Sequence, residues 1–264
     1  MESNQGIMTF YDDTYDEDER EIRDPLEFIR SKVIISRYLE HDNMNIADIA
    51  GGTGVYSFWL AKLGHKVHLL DIAMKHIDIA KSKGKELSVE LASYTCADAR
   101  NLPYENESMD IVLLMGALYH LQERSSRLQC LAEAKRILKP KGVLISTFIS
   151  RYSSLVGYFK WGFVGESHIK LINESLLTGK YNNLPYFPNA YFHTPEEIYS
   201  EMSDAGFTDA QLIAVQGFAN PYKFEEFSND EYKLSELLRL IELTEDKPEL
   251  LGISKDIIAV GKKY

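Results

Sequence analysis

NIADIAGGTGVYSFWLAKLGHKVHLLD, residues 45–71, joins an apolar run, a glycine-rich turn, a helical stretch, a second apolar run and a terminal acid. That order predicts strand, turn, helix and strand, a unit that cradles a nucleoside-bearing cofactor. The turn is Asp48-Ile49-Ala50-Gly51-Gly52-Thr53-Gly54. Its glycines permit positive φ and a close backbone approach to a ligand, and the helix behind them aims unpaired N–H groups at the same space. A dinucleotide fingerprint would need G-x-G-x-x-G; Gly52 and Gly54 fit, but Ser57 stands at the third position. Asp48 also argues against a pyrophosphate. It ends the first strand, where like charges would repel and an amine or other cation would be welcome. Asp71 ends the second strand, where an acid hydrogen-bonds ribose hydroxyls. Asp98 ends the third in CADARNLP, within reach of an adenine amino group. Three acids at successive strand ends suit an adenosine with a cationic, amino-acid-like tail.

The pattern extends in both directions. Pro25 opens a predicted helix with a stripe of Leu26, Ile29, Val33, Ile34 and Leu39. Strands are predicted at 46–50, 66–71, 93–97, 110–115 and 143–149, with helices at 55–62, 75–85 and 125–138 between them. The strands are nearly continuous apolar runs, as burial on both faces requires. The rhythm breaks over 151–192, a 42-residue stretch rich in aromatics, with weak helical patterning and no predicted strand. It resumes with a capping box at Thr194 and Glu197, a strand at 211–216, a helix at 230–244 and a strand at 255–260. The expected fold is α/β: a doubly wound, mostly parallel sheet of about seven strands, with an N-terminal helical lid and a cap insertion after the fifth strand. The expected divisions are 1–44 (lid and helix), 45–150 (cofactor-binding core), 151–193 (substrate cap) and 194–264 (completion of the core). Ligands of such sheets bind beyond the carboxyl ends of the strands, and the insertion leaves from one of those ends, placed to roof the site.

The 264 residues carry 29 Lys and Arg against 40 Asp and Glu, a net charge of −11. With no basic stripe, this argues against nucleic acid or an anionic membrane as the main partner. Cys96 and Cys130 lie outside any C-x-x-C, which fits a reducing compartment. No apolar stretch reaches 18 residues and the acidic N-terminus has no signal-peptide core, so the expected location is cytoplasmic. No metal-ligand spacing, no G-x-S-x-G and no N/D-P-P-Y/F/W tetrapeptide occurs; the fourth strand ends in LLMGAL.

Taken together, these motifs resemble the class I S-adenosylmethionine-dependent methyltransferases of the small-molecule type, including the ubiquinone/menaquinone-biosynthesis branch. DIAGGTG resembles the family's first motif, D-x-G-x-G-x-G, with Ala50 at the usual first glycine. HLLD resembles its ribose-acid motif, CADARNLPYENESMDIVLLMGALYHL its adenine motif and fourth strand, and RILKPKGVLIST its late helix–turn–strand motif. The resemblance implies S-adenosylmethionine as cofactor and S-adenosylhomocysteine as product. It implies that the backbone of Ala50, Gly51 and Gly52 lies under the methionine moiety, that Asp71 holds the ribose with Ile72 against the adenine, and that Asp98 and Ala99 meet the adenine edge; Asp48 joins this cofactor set on its charge. Met115 would close the floor, with the N-terminal Tyr11 and Tyr15 as lid residues.

Methyl transfer from a sulfonium is an in-line displacement, for which the enzyme aligns the nucleophile, excludes water and sometimes removes a proton. Tyr119 and His120 follow the fourth strand and are the candidate catalytic pair, His120 as base. In and beside the insertion, Tyr152, His168 and Tyr191, with Tyr11, are candidate substrate contacts; His193 reads as structural. The aromatics Trp161, Phe163, Tyr186, Phe187, Tyr191 and Phe192 suggest an apolar or aromatic small substrate under a closing cap, or glue the cap to the core; both can hold at once. The expected activity is methylation of an O, N or S atom of a small molecule by a monomer or homodimer. The alternatives are a cofactor-binding protein without catalysis and an NAD-dependent oxidoreductase.

Overall fold

The computed structural model describes residues 24–152, 154–160, 162, 165–182 and 189–264. The main sheet has seven strands: β1 Asn45–Ile49, β2 Lys66–Asp71, β3 Ser93–Cys96, β4 Met109–Leu114, β5 Leu138–Ile149, β8 Gln211–Ala214 and β9 Asp256–Lys262. Their order across the sheet is β3-β2-β1-β4-β5-β9-β8. β1 to β5 pair in parallel, and β9 runs antiparallel to both β5 and β8. The helices are α1 Pro25–Ser36, α2 Val55–Lys62, α3 Met74–Leu87, α4 Arg124–Ile137, α5 Ser154–Lys160, α6 Glu166–Thr178, α7 Pro195–Asp204, α8 Glu225–Ser228, α9 Glu231–Thr244 and α10 Pro248–Leu251.

Alternation along each strand builds two cores, because successive side chains point to opposite faces. Ala47, Ile49, Val112, Leu114, Leu144 and Phe148 face Leu131 and Ala134 of α4 and Ile198 and Met202 of α7. Ile46, Val67, Leu69, Ile111, Leu113 and Ile145 face Ile34 and Ile35 of α1, Leu60 of α2 and Ile77 and Ala80 of α3. The strands are thus buried on both sides, as their unbroken apolar runs require.

The predicted elements are present with shifted ends. β5 begins at Leu138, which pairs with Met109 before the register breaks between Met109 and Ile111. On α1, Leu26 and Ile34 are buried as the stripe predicts, but Val33 is exposed, and the polar Arg30 is buried instead. The capping box is made: the Glu197 N–H donates to Thr194 Oγ1 at 3.3 Å, and the Thr194 N–H donates to the Glu197 carboxylate at 3.0 Å.

The expectation of no strand in the insertion is overturned. Besides α5 and α6 it carries an antiparallel pair, β6 Lys180–Tyr181 and β7 Ala190–Tyr191. Two-residue strands are too short to show alternation in sequence.

Candidate functional site

The glycine turn leaves β1 at the carboxyl edge of the sheet. Ala50, Gly52 and Gly54 have φ of 55°, 57° and 87°, all left-handed. Gly51 is held by proximity: a Cβ there would lie 2.5 Å from Leu69 and 2.7 Å from the Asp48 carboxylate. Asp48 is fully buried and accepts a 2.6 Å hydrogen bond from Ser57 Oγ at its Oδ2. Its Oδ1 is buried with no hydrogen-bond partner among the described residues. Burial pushes its pKa up to about 6; Ser57 pulls it down and Asp71 adds to the rise. Ser57, which departs from the dinucleotide fingerprint, is therefore the hydroxyl that steadies the first acid.

Asp71 ends β2 beside the turn. Its Oδ2 accepts from the Gly52 N–H at 2.9 Å, and its Oδ1 accepts from the Ala73 N–H at 2.9 Å and from His76 Nδ1 at 3.2 Å. Ile72 and Ala99 are half-buried at the same edge. Asp98 is gripped by Arg100, which donates through its backbone N–H (2.9 Å), Nε (3.0 and 3.1 Å) and Nη2 (2.6 Å). Met115, at the end of β4, is buried, and the Thr147 hydroxyl lies 3.4 Å from its sulfur. A Cβ on Gly116 would come within 3.0 Å of the Ala50 carbonyl, so this turn and the glycine turn abut.

Tyr119 and His120 sit on a 3₁₀ turn, Leu118–His120, both buried, with ring centroids 4.5 Å apart. Tyr119 packs with Ile149, Tyr158, Tyr181, Ala190 and Phe192. Tyr158, Tyr181 and Phe192 of the insertion therefore glue it to the core. The chain leaving this turn is held by Arg127, whose Nη1 donates to the carbonyls of Leu121 and Gln122, both at 2.8 Å. Gln122 Nε2 in turn donates to the carbonyls of Tyr181 (3.2 Å) and Ala190 (3.1 Å).

Behind the turn lies a buried polar network. Arg127 donates to Glu201 of α7 through Nε and Nη2 at 2.6–3.1 Å, and its guanidinium lies 3.8 Å from the centroid of the Tyr191 ring. His193, fully buried, approaches the same carboxylate at 3.4 Å. Arg151 pairs with Glu197 at 2.5 and 2.7 Å and donates to Tyr191 Oη at 3.2 Å. Burial opposes ionisation of Glu201, yet His193 and Arg127 hold it ionised, with a pKa of about 2. Burial lowers that of His193.

The structure thus gathers Asp48, Ala50, Gly51, Gly52, Asp71, Ile72, Asp98, Ala99 and Met115 at the carboxyl edge of β1 to β4. It ties Tyr191 and His193 into the network, and it leaves Tyr152 exposed and His168 half-buried on the first turn of α6. Tyr11, Tyr15, Trp161, Phe163, Tyr186 and Phe187 lie outside the described residues. Sequence reasoning passed over His76, Arg127 and Glu201. The last two lie 74 residues apart, and no spacing in the sequence links them. One acid cluster among the described residues, Asp24, Glu27 and Asp256, converges closely enough to hold an ion. The Lys255 ammonium reaches into it, 2.6 Å from Asp24 and 3.3 Å from Glu27.

A family model described as "Methyltransferase domain" matches residues 47–146. The "Ubiquinone/menaquinone biosynthesis C-methyltransferase UbiE" of Campylobacter jejuni is 30% identical over 189 residues, 66% of this chain and 74% of that protein. The chain belongs to the class I S-adenosylmethionine-dependent methyltransferases. A "Probable tRNA methyltransferase 9B" of Bos taurus is 32% identical over 102 residues, 38% of this chain. The chain spans 20% of that protein's length and about half of other curated relatives. In fold, the class I methyltransferase chain is similar to a Methanosarcina mazei structure described as a SAM-dependent methyltransferase. The TM-score is 0.61 at 18% identity, covering 87% of this chain and 96% of the other. Among the described residues, no helix is long and apolar enough to cross a membrane.

Proposed function

We propose that this chain transfers a methyl group from S-adenosylmethionine to a small-molecule acceptor, leaving S-adenosylhomocysteine. The observation that carries the reading is the left-handed turn wedged between Asp48 and Asp71, with the Gly52 N–H on the Asp71 carboxylate. The residues present fit the cofactor. Asp48 Oδ1 is a buried acceptor lacking a partner among the described residues, suited to an ammonium. A Cβ at Gly51 or Gly116 would press on the Asp48 carboxylate or on the Ala50 carbonyl, so glycine keeps the turn and the first acid in place. Asp48 and the 50–52 backbone would hold the methionine end, Asp71 the ribose, and Ile72, Asp98 and Ala99 the adenine. When bound, the cofactor supplies an electrophilic methyl group on a sulfonium.

The chain's own task is to align the acceptor and keep water out. Tyr119 and His120 stand beside the end of β4, on a turn held by Arg127 and Gln122. In this reading His120 takes the acceptor's proton, and His120→Ala with full turnover on an identified acceptor would remove that role. Residues 151–193 act as the substrate cap, with Tyr152, His168 and Tyr191 as its candidate contacts. The acceptor atom is O, N or S in the sequence reading; the relative named as a C-methyltransferase adds carbon. The net charge of −11 favours a neutral or cationic acceptor over nucleic acid, although one relative is named for tRNA. Two free thiols, Cys96 and Cys130, agree with a reducing, cytoplasmic setting.

The test is calorimetric titration with S-adenosylhomocysteine, with NADH as the control ligand and Asp71→Asn as the control protein. Binding of S-adenosylhomocysteine alone, weakened in the variant, supports the reading. A preference for NADH overturns it.

A further inference from the structure

We propose that His76 is a positioning residue that sets which oxygen of Asp71 reads the cofactor ribose. The assignment rests on the cofactor reading above. His76 is buried on the first turn of α3, five residues beyond the acid at the end of β2. A carboxylate oxygen only accepts, so the 3.2 Å contact from His76 Nδ1 to Asp71 Oδ1 places the proton on Nδ1. Each carboxylate oxygen offers about two acceptor directions. Oδ1 spends both, one on His76 and one on the Ala73 N–H. Oδ2 spends one, on the Gly52 N–H of the glycine turn.

Among the described residues, Asp71 therefore keeps a single open acceptor direction, on the oxygen already tied to the turn. His76 and Ala73 pin the other oxygen, and this fixes the carboxylate plane. With an apolar side chain at 76, Oδ1 would regain a direction and the carboxylate could rotate away from the geometry that meets a ribose hydroxyl. Neither Ala73 nor Gly52 can compensate, because both donate from the backbone and already have their acceptors.

Calorimetry with S-adenosylhomocysteine and its 2′,3′-dideoxy analogue separates this role from packing. His76→Leu removes the donor, whereas His76→Asn keeps one at the position of Nδ1. His76→Leu is expected to weaken S-adenosylhomocysteine about tenfold, the value of one hydrogen bond to a charged group. His76→Asn should recover most of that loss, and the dideoxy analogue should bind wild type and His76→Leu alike. An equal loss for both ligands in His76→Leu, or no recovery in a His76→Asn protein that unfolds at the wild-type temperature, overturns the assignment in favour of packing. A wild-type protein that binds neither ligand overturns the cofactor reading and this assignment with it. Wild-type binding with unaltered His76→Leu affinity overturns this assignment alone.

Discussion

Ala50 stands where the family's first motif has glycine, and its φ of 55° shows what the glycine is for. The left-handed region costs an L-residue about 1 kcal/mol. Ala50→Gly is therefore expected to raise stability by about 0.5 to 1 kcal/mol in urea unfolding, less the extra chain entropy of glycine. Asp48 pulls in the other direction. Burial raises its pKa from 3.8 to about 6. Below pH 3.8 both the folded and the unfolded chain hold this proton and the acid costs nothing. As pH rises, the unfolded chain gives the proton up first, so the penalty grows and is complete above about 6. Asp48→Asn should thus be more stable than wild type by about 3 kcal/mol at pH 8, read from thermal unfolding, and should bind S-adenosylhomocysteine more weakly. Such a trade would mark Asp48 as kept for a ligand and not for the fold. Asp71 was legible because it ends an apolar run; Asp48, expected to end the first strand, lies one residue inside β1 and was legible from the glycine turn that follows it. His76 was not, because its partner lies behind it across a strand–helix junction that no spacing rule describes.

At the scale of elements, the Arg127–Glu201 pair joins α4 to α7, and the same guanidinium holds the chain leaving the Tyr119–His120 turn. Arg127→Leu should cost about 3 to 5 kcal/mol, because it leaves Glu201 charged and buried; the double variant Arg127→Leu/Glu201→Leu should recover part of that. Unfolding in urea of the two single variants and the double variant measures the coupling. Acid should loosen this junction in two stages. Burial lowers the pKa of His193, so stability falls as pH drops through 6.5, where the unfolded chain takes up a proton that the folded one refuses. Glu201 adds a second loss between 4.5 and about 2, as its carboxylate is protonated. A thermal-unfolding series from pH 7.5 downward tests the first stage, and His193→Asn should flatten it. The sequence marked His193 as structural but not the partners that make it so. Arg127 and Glu201 are 74 residues apart and meet only after the insertion has closed its loop. The aromatic run allowed a pocket, glue or both; of its residues, Phe192 packs with Tyr158 and Tyr181 as glue.

Across the whole molecule, the alternation of strands and helices from β1 to β5 was legible, because buried parallel strands and amphipathic helices have distinct periods. That β9 enters antiparallel between β5 and β8 was not, because the neighbour of a strand is set by the path of the chain and not by its own residues. A second long-range tie closes the same side: Arg30 of α1 and Arg37, just past its end, pair with Glu245, just beyond α9. Placing β9 inside the sheet also imposes an order of assembly. Among the described residues, β8 has β9 as its neighbour in the sheet and no other strand. While the chain is being made, β1 to β5 can zip together as each emerges, but β5 then waits with a bare edge and β8 with nothing to pair. An open edge of this kind invites pairing with other chains. Removal of residues 256–264 should therefore release two strands and not one, giving a protein that aggregates during synthesis where a simple loss of stability would leave a soluble, weakened fold. A ribosome-stalled chain ending before Asp256 should be captured by chaperones, and one extended past Lys262 should not. Synthesis of the last strand is thus the step that converts a sticky half-sheet into a finished one.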